Sequence, residues 1–268
     1  MKRAYADILE GQIHYRTEGS GRPLLLLHQT PLSSDEFSEV IPVLAKLYRV
    51  VAMDTMGYGN SDMPPHAYAL EDYARSIVEF LDALDIGKTS VVGHHTGASF
   101  AVHLATAYPQ RVDKLILSGC PHLEQEIRKT RLSDPRYKPV EIREDGSHLA
   151  QVWQYYRTRW SYLKPALWQR IMADYLRAGL GVKALEAYKA VYLYDIESRL
   201  RLISSPTLLM AGAGDVFYER LEATKQLIPK CLTKIIAGTH DNPAWENPVA
   251  FSQAILEFLA AGDEQTPD

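Results

Sequence analysis

The chain has 268 residues, 46% of them hydrophobic, and a net charge of −4. That is enough for one large core, or one core with a modest insertion, and the charge makes no electrostatic case for nucleic acid or an anionic membrane. Two cysteines, Cys120 and Cys231, cannot build a disulfide framework or a cysteine-based zinc site; no run of about 18 apolar residues spans a bilayer and no signal-peptide-like stretch follows Met1-Lys2-Arg3, so the expectation is a cytoplasmic protein that handles a small molecule.

Taken in order, Tyr5–Leu9 and Gln12–Arg16 flank a Glu10-Gly11 turn and predict an antiparallel hairpin. Pro23–Leu27 is a short continuous apolar run, the mark of a strand buried on both faces. Arg49–Asp54, Ser90–Gly93, Leu115–Ser118 and Thr207–Ala211 repeat that character, and Thr233–Ile236 is a candidate last strand. Helical periodicity lies between them, at Leu70–Leu84, Ala98–Tyr108 and Pro248–Leu259. Buried strands alternating with amphipathic helices predict a mostly parallel sheet covered on both sides.

The rhythm breaks between Pro121 and about Leu200, a stretch dense in tyrosine and tryptophan with no strand-like run. Leu149–Trp160 places Leu149, Trp153, Tyr156 and Trp160 on one helical stripe. Ala166–Ala178 and Lys183–Tyr194 continue as helices around a break at Gly179-Leu180-Gly181. The expected organisation is a core from residues 1–121 and 200–268, with residues 122–199 inserted as a helical cap after the sixth strand. The polar tail from Gly262 to Asp268 is expected to fray.

Ligands in such a sheet gather at the carboxyl ends of the strands. Four motifs fall there: His28-Gln29-Thr30-Pro31, the turn from Asp54 to Asp62, the segment Gly93-His94-His95-Thr96-Gly97, and the pair of Asp215, after Ala211-Gly212-Ala213-Gly214, with His240, after Ala237-Gly238-Thr239. Together, and in this order, they resemble the α/β-hydrolase superfamily, in its lidded branch of ester, C–C bond, epoxide and haloalkane hydrolases. The resemblance covers nearly the whole chain. It implies an α/β-hydrolase fold, with Gly93–Gly97 as the sharp strand-to-helix elbow that carries the nucleophile. By position it makes His95 the nucleophile residue, Asp215 the acid and His240 the general base, with Glu124 as a reserve acid. The family's oxyanion hole maps to the N–H groups of Thr96 and Gln29. Gln29 stands where the family has glycine, so its amide and the Thr30 hydroxyl become candidate substrate contacts, beside Trp153, Tyr156 and Trp160 of the aromatic segment. His28 is expected to brace loops from below, and His94 to point away from residue 95.

A histidine at the elbow departs from the family's serine, cysteine or aspartate. Neutral imidazole can attack through its lone pair and form an acyl-imidazole, or act as acid or base while water attacks directly. The expected function is a cofactor-free hydrolase of a small to mid-sized, mainly apolar or aromatic ester or lactone. The alternatives are a lyase, isomerase or decarboxylase on the same scaffold, and a ligand-binding homologue without activity. A zinc site from His95, His240 and His28 or Asp215 has suitable residue types but no supporting spacing, so no metal is expected.

Overall fold

A computed structural model of the chain describes residues 1–134, 140–179 and 185–261. These residues form an eight-stranded sheet in the order β1-β2-β4-β3-β5-β6-β7-β8. The strands are β1 (Lys2–Ile8), β2 (Gly11–Glu18), β3 (Pro23–Leu27), β4 (Arg49–Met53), β5 (Thr89–His94), β6 (Val112–Ser118), β7 (Thr207–Gly212) and β8 (Cys231–Ile236). β1 and β2 pair antiparallel, β2 joins β4 antiparallel, and every pairing from β4 onward is parallel.

The apolar runs work because strand side chains alternate between faces. Leu25, Leu27, Val51, Met53, Val91, Leu115, Leu117 and Leu209 enter one hydrophobic cluster. Their neighbours Leu24, Leu26, Val50, Ala52, Val92, Ile116, Leu208 and Met210 enter the other. Helices α1 (Ile41–Leu44), α2 (Leu70–Ala83) and α3 (Thr96–Ala107) follow in the first half of the chain. On α2, Tyr73, Ile77, Phe80 and Leu81 are buried, the stripe that the periodicity predicts.

Between β6 and β7 the described residues form only helices: α4 (Gln125–Ser133), α5 (Ser147–Arg159), α6 (Pro165–Arg177), α7 (Glu186–Leu193) and α8 (Ile196–Leu200). The expected start of a helix at Lys183, the break at Leu180-Gly181 and the fraying tail lie outside the described residues. The chain closes with α9 (Leu221–Lys225), α10 (Pro243–Glu246) and α11 (Pro248–Ala260). Among the described residues no helix is long and apolar enough to cross a membrane.

Candidate active site

β5 ends at His94, and α3 begins at Thr96. His95 joins them with φ 48° and ψ −114°, a conformation non-glycine residues adopt at a cost of about 1–3 kcal/mol. The flanking glycines make the turn possible. A Cβ at Gly93 would lie 2.4 Å from the Gly97 carbonyl oxygen, and one at Gly97 would lie 2.2 Å from that of Leu27. The bend projects the His95 side chain to the edge of a cavity of about 420 Å³.

The His95 imidazole reaches across the site. Its Nε2–H donates to Asp215 Oδ2 at 3.0 Å. The Asp215 carboxylate is buried, and its Oδ1 accepts the Phe217 N–H at 2.7 Å. Burial works against the charged form of both partners, but their mutual attraction outweighs it: the His95 pKa stands above the ordinary histidine value and that of Asp215 below the ordinary carboxylate value. Phe217 packs edge-on against the His95 ring at 5.1 Å. Nδ1 of His95 has no protein hydrogen bond among the described residues, and His95 lines the cavity.

The expected Asp215–His240 pair does not form. His240 donates through Nδ1 to Glu246 Oε2 at 2.7 Å, and its ring stacks on Tyr162 at 4.1 Å. Its side chain is 45% exposed and stays out of the cavity lining. The reason is length. A serine side chain ends one bond past Cβ, whereas an imidazole at the same elbow extends to the carboxylate and occupies the oxygen that a separate histidine would use.

The oxyanion expectation also changes. The Gln29 N–H donates to Glu36 Oε2 at 2.9 Å, and its side-chain amide bridges Glu36 at 3.1 Å and Asn242 at 2.8 Å. Gln29 borders the cavity, but its donors are committed to these partners. The next amide, Thr30 N–H, donates to Thr96 Oγ1 at 2.7 Å, and the two threonine hydroxyls meet at 2.9 Å. That leaves the Thr96 N–H, in the first turn of α3, where helix N–H groups lack intrahelical partners. Thr30 is buried and is not among the residues that line the cavity. Tyr156 and Trp160 do line it, together with Tyr188, Tyr192 and Phe217. Trp153 does not; it packs edge-on against Trp168 at 6.0 Å.

His28 braces the first loop. Its Nε2 accepts the Thr55 N–H and its Nδ1–H donates to the Gln29 carbonyl, both at 2.9 Å. Glu124 is exposed and pairs with Arg220. His94 does not point clear of its neighbour: the two rings lie 4.4 Å apart, and His94 Nδ1 bonds the Glu36 carboxylate. Glu36, Asn242 and Asp241 were not foreseen as site residues. Asp241 accepts the Val216 N–H at 3.0 Å and the Trp160 indole N–H at 3.1 Å, and pairs with Arg159 at 2.6 Å.

The chain belongs to the α/β-hydrolase fold family, whose model matches residues 22–248. It is 28% identical over 267 residues to a non-heme haloperoxidase of Rhodococcus erythropolis, covering 92% of this chain and 96% of that one. A more local similarity, 40% identity over 112 residues, links it to a haloalkane dehalogenase of Mesorhizobium japonicum, across 41% of this chain and 36% of the relative. Among solved structures, E-2-(acetamidomethylene)succinate hydrolase superposes with a TM-score of 0.79 at 25% identity, over 97% of this chain and 99% of the other.

Proposed function

We propose that the chain is a hydrolase of a mid-sized, mainly apolar or aromatic ester or lactone, in which His95 is the general base and Asp215 its partner. On this reading the described residues between 122 and 199 are the cap, and the described residues on either side of them the core. The observation that carries the reading is the placement of His95 at the apex of the elbow, tied to Asp215 through Nε2 while the ring borders the cavity. An aromatic lining and a volume of about 420 Å³ suit a small organic substrate.

Asp215 holds the tautomer with hydrogen on Nε2, which leaves a lone pair at Nδ1. Nδ1 neighbours the ring carbon bonded to Cβ, so it is crowded as an attacking atom. Removing a proton from water asks less of it. Water gives a proton to Nδ1 as its oxygen bonds to the acyl carbon. The carbonyl oxygen becomes an oxyanion facing the Thr96 N–H, at the positive end of α3. When the acyl–oxygen bond breaks, the Nδ1–H returns its proton to the departing alkoxide, and acid plus alcohol leave. A hydrolase among the structural relatives supports the same reaction class.

The test is turnover of a panel of activated aryl esters, lactones and thioesters. His95→Ala is expected to lose about 10²–10⁴-fold in kcat, the usual contribution of a positioned base. Asp215→Asn should fall by up to ~10⁴, because an amide favours the wrong tautomer. His240→Ala should remain near wild type. Full turnover by His95→Ala, or collapse of His240→Ala with His95→Ala unaffected, would sink the reading. An acyl adduct on His95 in intact-mass spectra would replace the base with a nucleophile.

A further inference from the structure

Beneath the elbow lies a second acid–imidazole pair that the proposed reaction does not use. His94 is fully buried, and so is Glu36. The Glu36 carboxylate takes the Gln29 N–H on one oxygen, and the Gln29 amide and His94 Nδ1 on the other. A carboxylate only accepts, so Nδ1 of His94 carries a hydrogen, and in the neutral ring the lone pair is on Nε2. That Nε2 is buried and has no hydrogen-bond partner among the described residues. A buried polar atom left in this way is costly, and native structures seldom keep one without a reason.

The His94 ring lies against that of His95, 4.4 Å between centroids. One donor atom from each of His94, His95 and Asp215 lies within 4.8 Å of the others. We propose that His94, His95 and Asp215 form a binding site for a divalent first-row transition-metal cation, with Glu36 behind His94 as its outer support. Imidazole nitrogens and carboxylate oxygens sit about 2.0–2.2 Å from zinc, which spaces neighbouring ligand atoms roughly 3–3.5 Å apart. His95 Nε2 and Asp215 Oδ2 already stand at 3.0 Å. Of the three residues His95 alone lines the cavity, so its side-chain torsion is the freedom through which the proposed site would tighten from 4.8 Å.

Charge favours the same conclusion. Glu36 and Asp215 bring two carboxylates into a buried cluster beside two imidazoles. A dication balances them with both rings neutral, the form in which imidazole binds a metal. His95 then moves its hydrogen from Nε2 to Nδ1, so no net proton is lost, and the metal-bound form has no lone pair at Nδ1 to act as the base: metal binding and the proposed hydrolysis exclude each other at this residue. The Glu36–His94 bond is the carboxylate–histidine arrangement that fixes ring orientation and raises ligand basicity around metal sites. Two nitrogen ligands disfavour calcium and magnesium. The cavity beside His95 leaves room for water or substrate on the ion, as in three-ligand zinc sites. This set differs from the zinc ligands considered from the sequence. Both His28 nitrogens are bonded within the first loop, and His240 is held by Glu246.

The proposal concerns the side chains of the base–acid pair but does not rest on hydrolysis, and its test reads no turnover. The full chain is stripped with a chelator and titrated with Zn²⁺ by calorimetry and with Co²⁺ by visible absorption. One Zn²⁺ per chain is expected, with Co²⁺ bands of a nitrogen-and-oxygen site. Asp215→Asn and His94→Gln should weaken Zn²⁺ binding by 100-fold or more. Glu36→Gln, which touches no ligand atom, should weaken it by about 10–100-fold, and the exposed His66→Ala should leave it unchanged. If His94→Gln does not fold, Asp215→Asn and Glu36→Gln carry the comparison. No saturable Zn²⁺ binding by wild type, or equal affinity in Asp215→Asn, overturns the proposal; loss of turnover in His95→Ala without Zn²⁺ binding leaves the hydrolase reading standing alone.

Discussion

At the scale of single residues, the contact between His95 and Asp215 depends on a residue with no side chain. Gly119 has φ +57°, and a Cβ there would lie 2.3 Å from His95 Cδ2 and 2.6 Å from Asp215 Oδ2. Alanine would have to adopt a left-handed backbone and would also wedge between the two reacting partners. Gly119→Ala is therefore expected to remain folded by circular dichroism, while kcat/KM drops by about 100-fold or more, as for displacement of a catalytic group by an ångström. Wild-type kcat/KM in this variant would show that the His95–Asp215 contact is not needed. The two partners were legible in the sequence because an elbow between glycines and an acid after a buried strand are local patterns. The pairing between them was not. It follows from how far an imidazole reaches in three dimensions, and the family pattern assigns that carboxylate to His240. Glu36 was also hidden, since 58 residues separate it from His94 and its own neighbourhood reads as an ordinary polar loop.

At the scale of elements, the strands and long helices were readable because burial imposes a period on them. Pro23–Leu27 has the same bounds in the sequence reading and in the sheet. The four- and five-residue helices α1, α8, α9 and α10 were not foreseen; a helix that short has no stable nucleus of its own and forms through tertiary contacts. The junction between elements was equally silent. Asp241, after β8, holds the end of α5 through Arg159 and Trp160 and the loop after β7 through the Val216 N–H. Asp241→Ala leaves the Trp160 and Val216 donors unpaired, at a cost on the order of 2–3 kcal/mol. The expected outcome is faster proteolytic cutting between β6 and β7 and a raised KM, with a smaller change in kcat. Unchanged proteolysis would mean that Asp241 does not hold the helical segment to the sheet.

At the scale of the whole molecule, the helical segment also meets the core through Asp174 on α6. Asp174 Oδ2 accepts the Ser33 hydroxyl at 2.8 Å, and Arg177 pairs with Oδ1 at 3.0 Å. Burial pushes the Asp174 carboxyl up to about 7; Asp35 and Asp54 add to the rise, while Ser33 and Arg177 oppose it. The folded chain therefore holds a proton on Asp174 at pH values where the unfolded chain has released it. The resulting stability is complete below the unfolded pKa near 3.8 and is lost as pH rises through about 7. With a shift of this size the loss is on the order of 4 kcal/mol. Asp174→Asn keeps an acceptor for Ser33 and cannot ionise. Its unfolding midpoint, relative to wild type, should move upward between pH 5 and pH 8, with the gap levelling above the titration. A gap that is flat over this range, or that narrows with rising pH, would show that Asp174 does not enter the folded interface as a neutral acid. If proteolysis between β6 and β7 in the wild type also accelerates as pH rises, and does not in Asp174→Asn, the lost stability belongs to the seam between α6 and the loop after β3 and not to the sheet.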